Sequence, residues 1–434
     1  MPAPLESDVP SAALTGSMRD YAAPRGAGLQ DRTAEFFAWQ DLRRKHGLWS
    51  YARSTQDVPA TVTTACEDSG APIGGTNFAS QDYLSLSVHP AIRQTAQEAI
   101  ERFGVHSAGS SALMGNTSHA VALERRIADF LGMPEAILFP TGWAAGYGVI
   151  KGLVRPADHL VMDSRAHACL QEGARSATGN VHHFRHNDLG GCRSLLRSIR
   201  AGDSANGIMV VTESLFSMDS DAPDLAAMQE MCHEYNATLL VDAAHDLGNM
   251  GPRGRGFIGE QAMIGKIDLV MGSFSKTFAS NGGFVACADR SVKEYLRFFS
   301  PPCTFSNALS PVQAATVLKA FEIVEDAEGG RLRDRLMANI TALRHGLGQE
   351  GFSVYGDPSA IVCVDLGPEG LARLVSRRLP EFGLLANLVE FPAVPMGKAR
   401  LRMQVMADHT SQNVHDAVAA LTSAVRSAKA DDIR

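Results

Sequence analysis

Two apolar runs in this sequence end in side chains suited to amine and carbonyl chemistry. The run Ala237–Val241 closes on Asp242, followed by Ala243, Ala244 and His245. The next, Asp268–Gly272, leads into Ser273, Phe274, Ser275, Lys276 and Thr277. A carboxylate at the end of a buried strand is costly unless a cation or hydrogen bonds compensate it. Alone, Asp242 serves equally well as a helix cap, and an isolated Ser-x-Ser-Lys describes many solvated lysines. Together they supply what pyridoxal 5'-phosphate (PLP) needs: a lysine for a Schiff base, an aspartate for the pyridinium nitrogen and hydroxyls for the phosphate. The amine must be neutral to attack, which desolvation favours. The chain has only eight lysines, so the choice of nucleophile is narrow.

The surrounding pattern indicates how these residues are positioned. Strand-like runs at Ala136–Phe139, His159–Met162, Gly207–Thr212, Ala237–Val241 and Asp268–Gly272 alternate with helical segments. That alternation predicts an α/β fold with a mostly parallel sheet covered by helices. In such sheets ligands bind at the carboxyl ends of the strands, where Asp242 and Lys276 fall. We expect a leader and helical arm over 1–75, a large α/β domain over 76–310 and a smaller α+β domain over 311–434. Residues 1–30, rich in Ala, Pro, Gly and Ser, read as a mobile leader. Phe36, Phe37, Trp39, Leu42 and Leu48 suggest an amphipathic helix within 31–50. The stretch Ser310–Glu325 reads as a helix leading into the C-terminal domain, where Ala360–Leu366 and Arg400–Val405 resemble strands.

Composition excludes several classes. The 434 residues carry a formal net charge of -7 and a pI near 6.1, which gives no general drive toward nucleic acid or anionic lipid. No apolar run is long enough to span a membrane. Seven scattered cysteines without a CxxC pair, and no signal-peptide pattern, predict a cytoplasmic protein without a disulfide framework. His182, His183 and His186 lack a matching shell of ligands, so no metal is expected. The Gly251–Gly256 cluster lacks the spacing of a P-loop or dinucleotide fingerprint. It reads instead as a loop near a dimer interface or substrate entrance.

Further motifs occur in a consistent order: Asn77–Leu84, Gly115–Glu124, Thr141-Gly142-Trp143, His186–Asp188, Glu213–Asp219, Asp242–His245, Gly251–Gly256, Ser273–Lys276, Phe305–Asn307 and Val394–Arg402. With them the chain resembles the α-oxoamine synthases, a family of fold-type I PLP-dependent acyltransferases. The resemblance implies a homodimer that condenses an α-amino acid with an acyl thioester, carried by CoA or an acyl carrier protein, with loss of CO2. It makes Lys276 the aldimine lysine and proton carrier, Asp242 the partner of the ring nitrogen and His245 that of the ring hydroxyl. His167 would stack on the ring, and Ser217 would lie near its hydroxyl. Gly142, Trp143, Ser273 and Ser275 would hold the phosphate, joined by Ser306 from a second subunit. Arg402 would bind the substrate carboxylate, with Arg400 next in line and Gln81 where an asparagine often helps. Ser111, Gly146, Ser220, Ala243 and Asp246 depart from the family pattern and bear on the substrate pair. The Ser273–Lys276 segment, closest to the serine palmitoyltransferase form, tilts the amino acid toward serine or alanine. The same lysine and aspartate would also serve a ketobutyrate-ligase-type cleavage or a transaminase. A non-enzymatic partner subunit is disfavoured by the presence of Lys276.

Overall fold

A computed structural model describes residues 9–432. Residues 1–8 of the expected leader, and 433–434 of the expected C-terminal domain, lie outside the described residues. The chain forms two compact units: Asp82–Ser217 with Asp221–Asp334, and the chain up to Gln81 with Met218–Ser220 and the chain from Arg335.

Among the described residues, the larger unit holds a seven-stranded sheet. Its strands are β1 (Glu135–Phe139), β2 (His159–Asp163), β3 (Val181–Phe184) and β4 (Ile208–Glu213). They continue with β5 (Thr238–Asp242), β6 (Leu269–Ser273) and β7 (Gly283–Cys287). The order is β1-β7-β6-β5-β4-β2-β3, parallel except for β7, which runs against both neighbours. The α/β fold with a mostly parallel sheet is as expected. Strands covered on both faces need apolar side chains on both, so β4, β6 and β7 are buried throughout. Helices α1 (Gly142–Leu153) and α2 (Ala168–Ala177) bring Val149, Ile150, Leu170 and Ala174 into one core with Met162, Val211 and Met271. The sequence pattern missed β3 and β7. The first is short and carries His182 and His183; the second is built largely from small residues.

The smaller unit pairs a hairpin, Val62–Cys66 with Pro72–Asn77, and sets Leu384–Leu385 parallel to its second strand. A second sheet joins Ile361–Gly367, Ala399–Gln404 and Asn387–Val389. Two expectations need correction. The arm does not end at 75, because its hairpin is completed by Leu384–Leu385. The C-terminal domain does not begin at 311, because Pro311–Glu325 packs on Pro90–Phe103 and Ser118–Leu131 within the larger unit.

The described part of the leader is also held in place. Arg373 donates to the carbonyls of Leu14 and Gly16, each at 2.7 Å, and Trp39 Nε1 donates to Thr15 at 3.2 Å. Arg43 and Arg373 are fully buried, and they share Glu390 at 3.2 and 2.6 Å. Trp39 lies 4.8 Å from the Arg43 guanidinium and 5.9 Å from that of Arg373. Two buried cations around one carboxylate depend on that carboxylate. Glu390→Gln is therefore expected to cost about 3–5 kcal/mol in urea unfolding and to expose residues 9–21 to proteolysis.

Candidate active site

The site assembles where β4, β5 and β6 end. A cavity of about 250 Å³ is bounded by Asp242, His245, His167, Glu213, Lys276 and the first residues of α1. Asp242 is the last residue of β5, opposite Glu213 on β4 in the parallel register. Lys276 lies in the turn after β6, and Ser273 and Ser275 face the same cavity. Their hydroxyls are 2.7 Å apart.

Two helix starts complete the wall. Thr141 caps α1, its Oγ1 accepting the Ala144 N–H at 3.0 Å. The first amides of a helix have no intrahelical acceptor, so Gly142 and Trp143 offer N–H groups at its positive end. A Cβ at Gly142 would stand 2.4 Å from Ser273 Oγ, so only glycine allows helix and turn to approach this closely. His167 caps α2 through Nδ1, which accepts the Cys169 N–H at 3.3 Å. His245 Nδ1 contacts the Tyr83 hydroxyl at 3.1 Å, and Tyr83 is fully buried.

The charge balance of the cavity is unusual. Burial pushes the Asp242 carboxyl up; the neighbouring His167 ring, the Lys276 amine and the Ala244 N–H oppose that shift. Glu213 is pushed well above the carboxylate range by burial and then by Asp242, against the His167 N–H and Lys276. Burial also pushes Asp246, one residue beyond His245, up to about 6, although Ser214 Oγ and the Phe257 N–H donate to it at 2.6 and 2.7 Å. Two carboxyl groups crowded together in a dry site call for a cationic N–H, which a protonated pyridine provides. On the other wall, hydroxyls and helix-start amides suit a phosphate dianion. The donor set therefore fits PLP, with Asp242, Lys276, Ser273, Ser275, Gly142 and Trp143 as the residues that would hold it.

Eight of the expected residues gather at this cavity. Lys276, Asp242, His245, His167, Gly142, Trp143, Ser273 and Ser275 line this cavity. Ser217 is half-buried in the turn after β4, which the Phe216 N–H closes onto the Asp221 carbonyl at 2.9 Å. Ser306 donates within its own chain to the Pro302 carbonyl. Gln81 and Arg402 belong to the smaller unit. There Arg402 lies on Ala399–Gln404, opposite Cys363 and Asn387. Arg400 is committed elsewhere. It is buried, donates to the Met218 carbonyl at 2.5 Å and to Asp219 at 3.1 Å, and stacks 3.9 Å from the Tyr355 ring centroid. Reading it as a substrate ligand or a surface residue therefore misses its role in holding Met218–Ser220. Glu213 is a further residue of this wall, and like Asp242 it ends a buried apolar run. Tyr83 and Cys169 carry no such sequence signal, because their roles depend on contacts distant in sequence or internal to a helix turn.

Fold and site together define a PLP-dependent enzyme, and comparison with known proteins agrees. The family model for aminotransferase class I and II matches residues 73–421. An 8-amino-7-oxononanoate synthase of Klebsiella pneumoniae is 36% identical over 339 residues, covering 78% of this chain and 86% of the relative. A serine palmitoyltransferase of Sphingobacterium spiritivorum is 31% identical over 409 residues, covering 93% and 98%. Among solved structures, a lysine-to-alanine variant of serine palmitoyltransferase from S. paucimobilis, with a bound PLP–myriocin aldimine, superposes with a TM-score of 0.86. It is 27% identical, covering 93% of this chain and 100% of that one. The chain belongs to the aminotransferase class I and II family, on its α-oxoamine synthase branch. It is a PLP-dependent acyltransferase that condenses an amino acid with an acyl thioester and releases CO2.

The close approach at Gly142 gives a direct test of the cofactor cradle. Gly142→Ala should weaken PLP retention about tenfold or more, in line with overpacking of a filled site, as read by absorbance titration of the apoprotein.

Proposed function

We propose that the cavity beside Lys276 carries the whole cofactor chemistry of this condensation and that each residue has a separate task. The observation that carries this reading is the placing of Lys276 and the Asp242–Glu213 pair on one cavity wall. When bound, PLP supplies an electron sink for charge developing at the amino-acid Cα. Asp242 would turn its negative charge toward the ring nitrogen and so favour a proton there. Lys276 would hold the cofactor, and its amine is the base placed to take the Cα proton of the amino acid. His245, held by Tyr83, would donate toward the ring hydroxyl. His167 would cover the ring face and limit how far the substrate can rotate.

The Ser273 and Ser275 hydroxyls and the amides of Gly142 and Trp143 fix the phosphate, with Ser306 of a second copy adding a donor. Arg402 binds the amino-acid carboxylate as a bidentate partner, assisted by Gln81. That carboxylate would leave as CO2 after the new C–C bond forms, the proton taken up by Lys276 would return to Cα, and CoA or the carrier protein would leave as a thiolate that takes its proton from water. The substrate pair is a small α-amino acid, serine or alanine, and an acyl thioester. No helix among the described residues is long and apolar enough to cross a membrane. All seven cysteines are unpaired, which suits a reducing cytoplasm.

The homodimer is part of the same reading. Val105, Leu113, Met114 and Phe305 are at least 70% exposed on the larger unit. Their two segments are tied together by a Ser110–Asn307 bridge and by Ser110 Oγ donating to Thr304 at 2.7 Å. Apolar side chains held out on an ordered surface fit a face covered by a second copy.

Two measurements test this assignment. Purified holoenzyme given serine or alanine and an acyl-CoA should release CO2 and free thiol in equal amounts. Lys276→Ala should lower the rate about 10³-fold or more; thiol release without CO2 would instead support a reaction that keeps the carboxylate. On a sizing column with light scattering, the wild type should elute as a dimer, and Leu113→Asp with Met114→Asp should shift it toward monomer and loosen PLP.

A further inference from the structure

One contact in the cavity wall lies outside the roles above. Cys169 is buried in the first turn of α2, and its Sγ stands 3.0 Å from His167 Nδ1. The backbone N–H of Cys169 points at the same nitrogen from 3.3 Å. A peptide N–H can only donate, so Nδ1 must present its lone pair and the imidazole proton must sit on Nε2. Burial pushes the Cys169 thiol far up, so it keeps its hydrogen and can act as a second donor to that lone pair.

The sulfur is confined from the other side. A Cβ at Gly146 of α1 would come within 2.4 Å of Cys169 Sγ, and within 3.1 Å of Met271 Sδ. Glycine at 146 thus makes the space that the thiol fills. His167 is tied through its backbone as well, because its N–H donates to the Glu213 carboxyl. The charged and titratable groups that share its cavity are Glu213 from β4, Asp242 from β5, His245 from the segment after β5 and Lys276 from the turn after β6, besides Cys169 itself.

We propose that Cys169 is a positioning residue that holds His167 neutral and protonated on Nε2, through a peptide N–H and a thiol that both donate to Nδ1. This rests on the reading of the cavity as the PLP site. An imidazolium here would compete with the ring nitrogen for the charge of Asp242. The neutral tautomer leaves Asp242 to the ring and offers the substrate a single donor.

The test uses holoenzyme labelled with ¹⁵N-histidine, the His167 signals being assigned by their loss in His167→Asn. In wild type, Nε2 should carry the proton and Nδ1 none at neutral pH. Cys169→Ala removes only the thiol donor, and should let Nδ1 take up a proton at a pH higher by roughly 0.4–1 unit, as expected for one lost hydrogen bond. The acid limb of kcat/KM for the amino acid should move with it, and Cys169→Ser, which keeps a donor, should stay close to wild type. A proton on Nδ1 in the wild type at neutral pH overturns the proposal without any variant. A Cys169→Ala titration that coincides with wild type also overturns it. The imidazole signals can be read whether or not the protein turns over, so failure of the condensation assay would be a separate result.

Discussion

Asp242 and Glu213 end neighbouring parallel strands, opposite each other and shielded from water. Burial raises the proton affinity of both, the charge of Asp242 adds to it at Glu213, and the site is arranged in response. Lys276 approaches from the turn after β6, while the N–H groups of Ala244 and His167 donate to Asp242 and Glu213 respectively. A parallel sheet is what makes this possible. It gathers the carboxyl ends of β4, β5 and β6 at one edge, together with the helix starts that follow strands such as β1 and β2. The resulting cavity has an acidic wall and a wall of anion donors, a polarity that matches a cofactor with a cationic ring and a dianionic phosphate.

Behind that wall lies a second layer that fixes direction more than charge. Tyr83 reaches His245 from the chain before the sheet, and Asp246 draws Ser214 and the Phe257 amide together. Asp246 therefore binds the Gly251–Gly256 loop to the end of β4, which gives that glycine cluster a structural task. Its backbone folds tightly upon itself, with the Gly256 N–H bonded to the Met250 carbonyl at 2.9 Å. A side chain at Gly256 would collide with Asp246 Oδ2 at 2.4 Å.

Much of this was legible because buried parallel strands must be apolar on both faces. The runs ending at Val241 and Gly272 were visible, and the polar residues just beyond them were informative by their position. Legibility failed where a segment gains its stability from distant partners. Nothing local in Ser11–Leu14 indicates that its carbonyls will be met by Arg373. The Ala-Pro-Gly-Ser composition therefore suggested a mobile leader. Pro311–Glu325 shows a clear helical pattern, but the pattern alone does not reveal the helices it covers. The residues that line the cavity all fall in one compact unit, whereas Arg402 and Gln81 fall in the other.

The departures from the family pattern can now be separated by cause. Ser220 takes the place of a glycine and keeps a left-handed backbone, with φ of 57°. Its hydroxyl offsets that strain with bonds to Ser359 Oγ at 2.7 Å and the Asp357 carbonyl at 3.0 Å. Asp246 contributes to loop anchoring, and Gly146 makes room for a sulfur. These changes are explained by contacts inside one unit or the other, and none alters the groups that line the cavity wall beside Lys276. Gln81 is a departure of another kind, since it belongs to the smaller unit and carries an amide one methylene longer than asparagine.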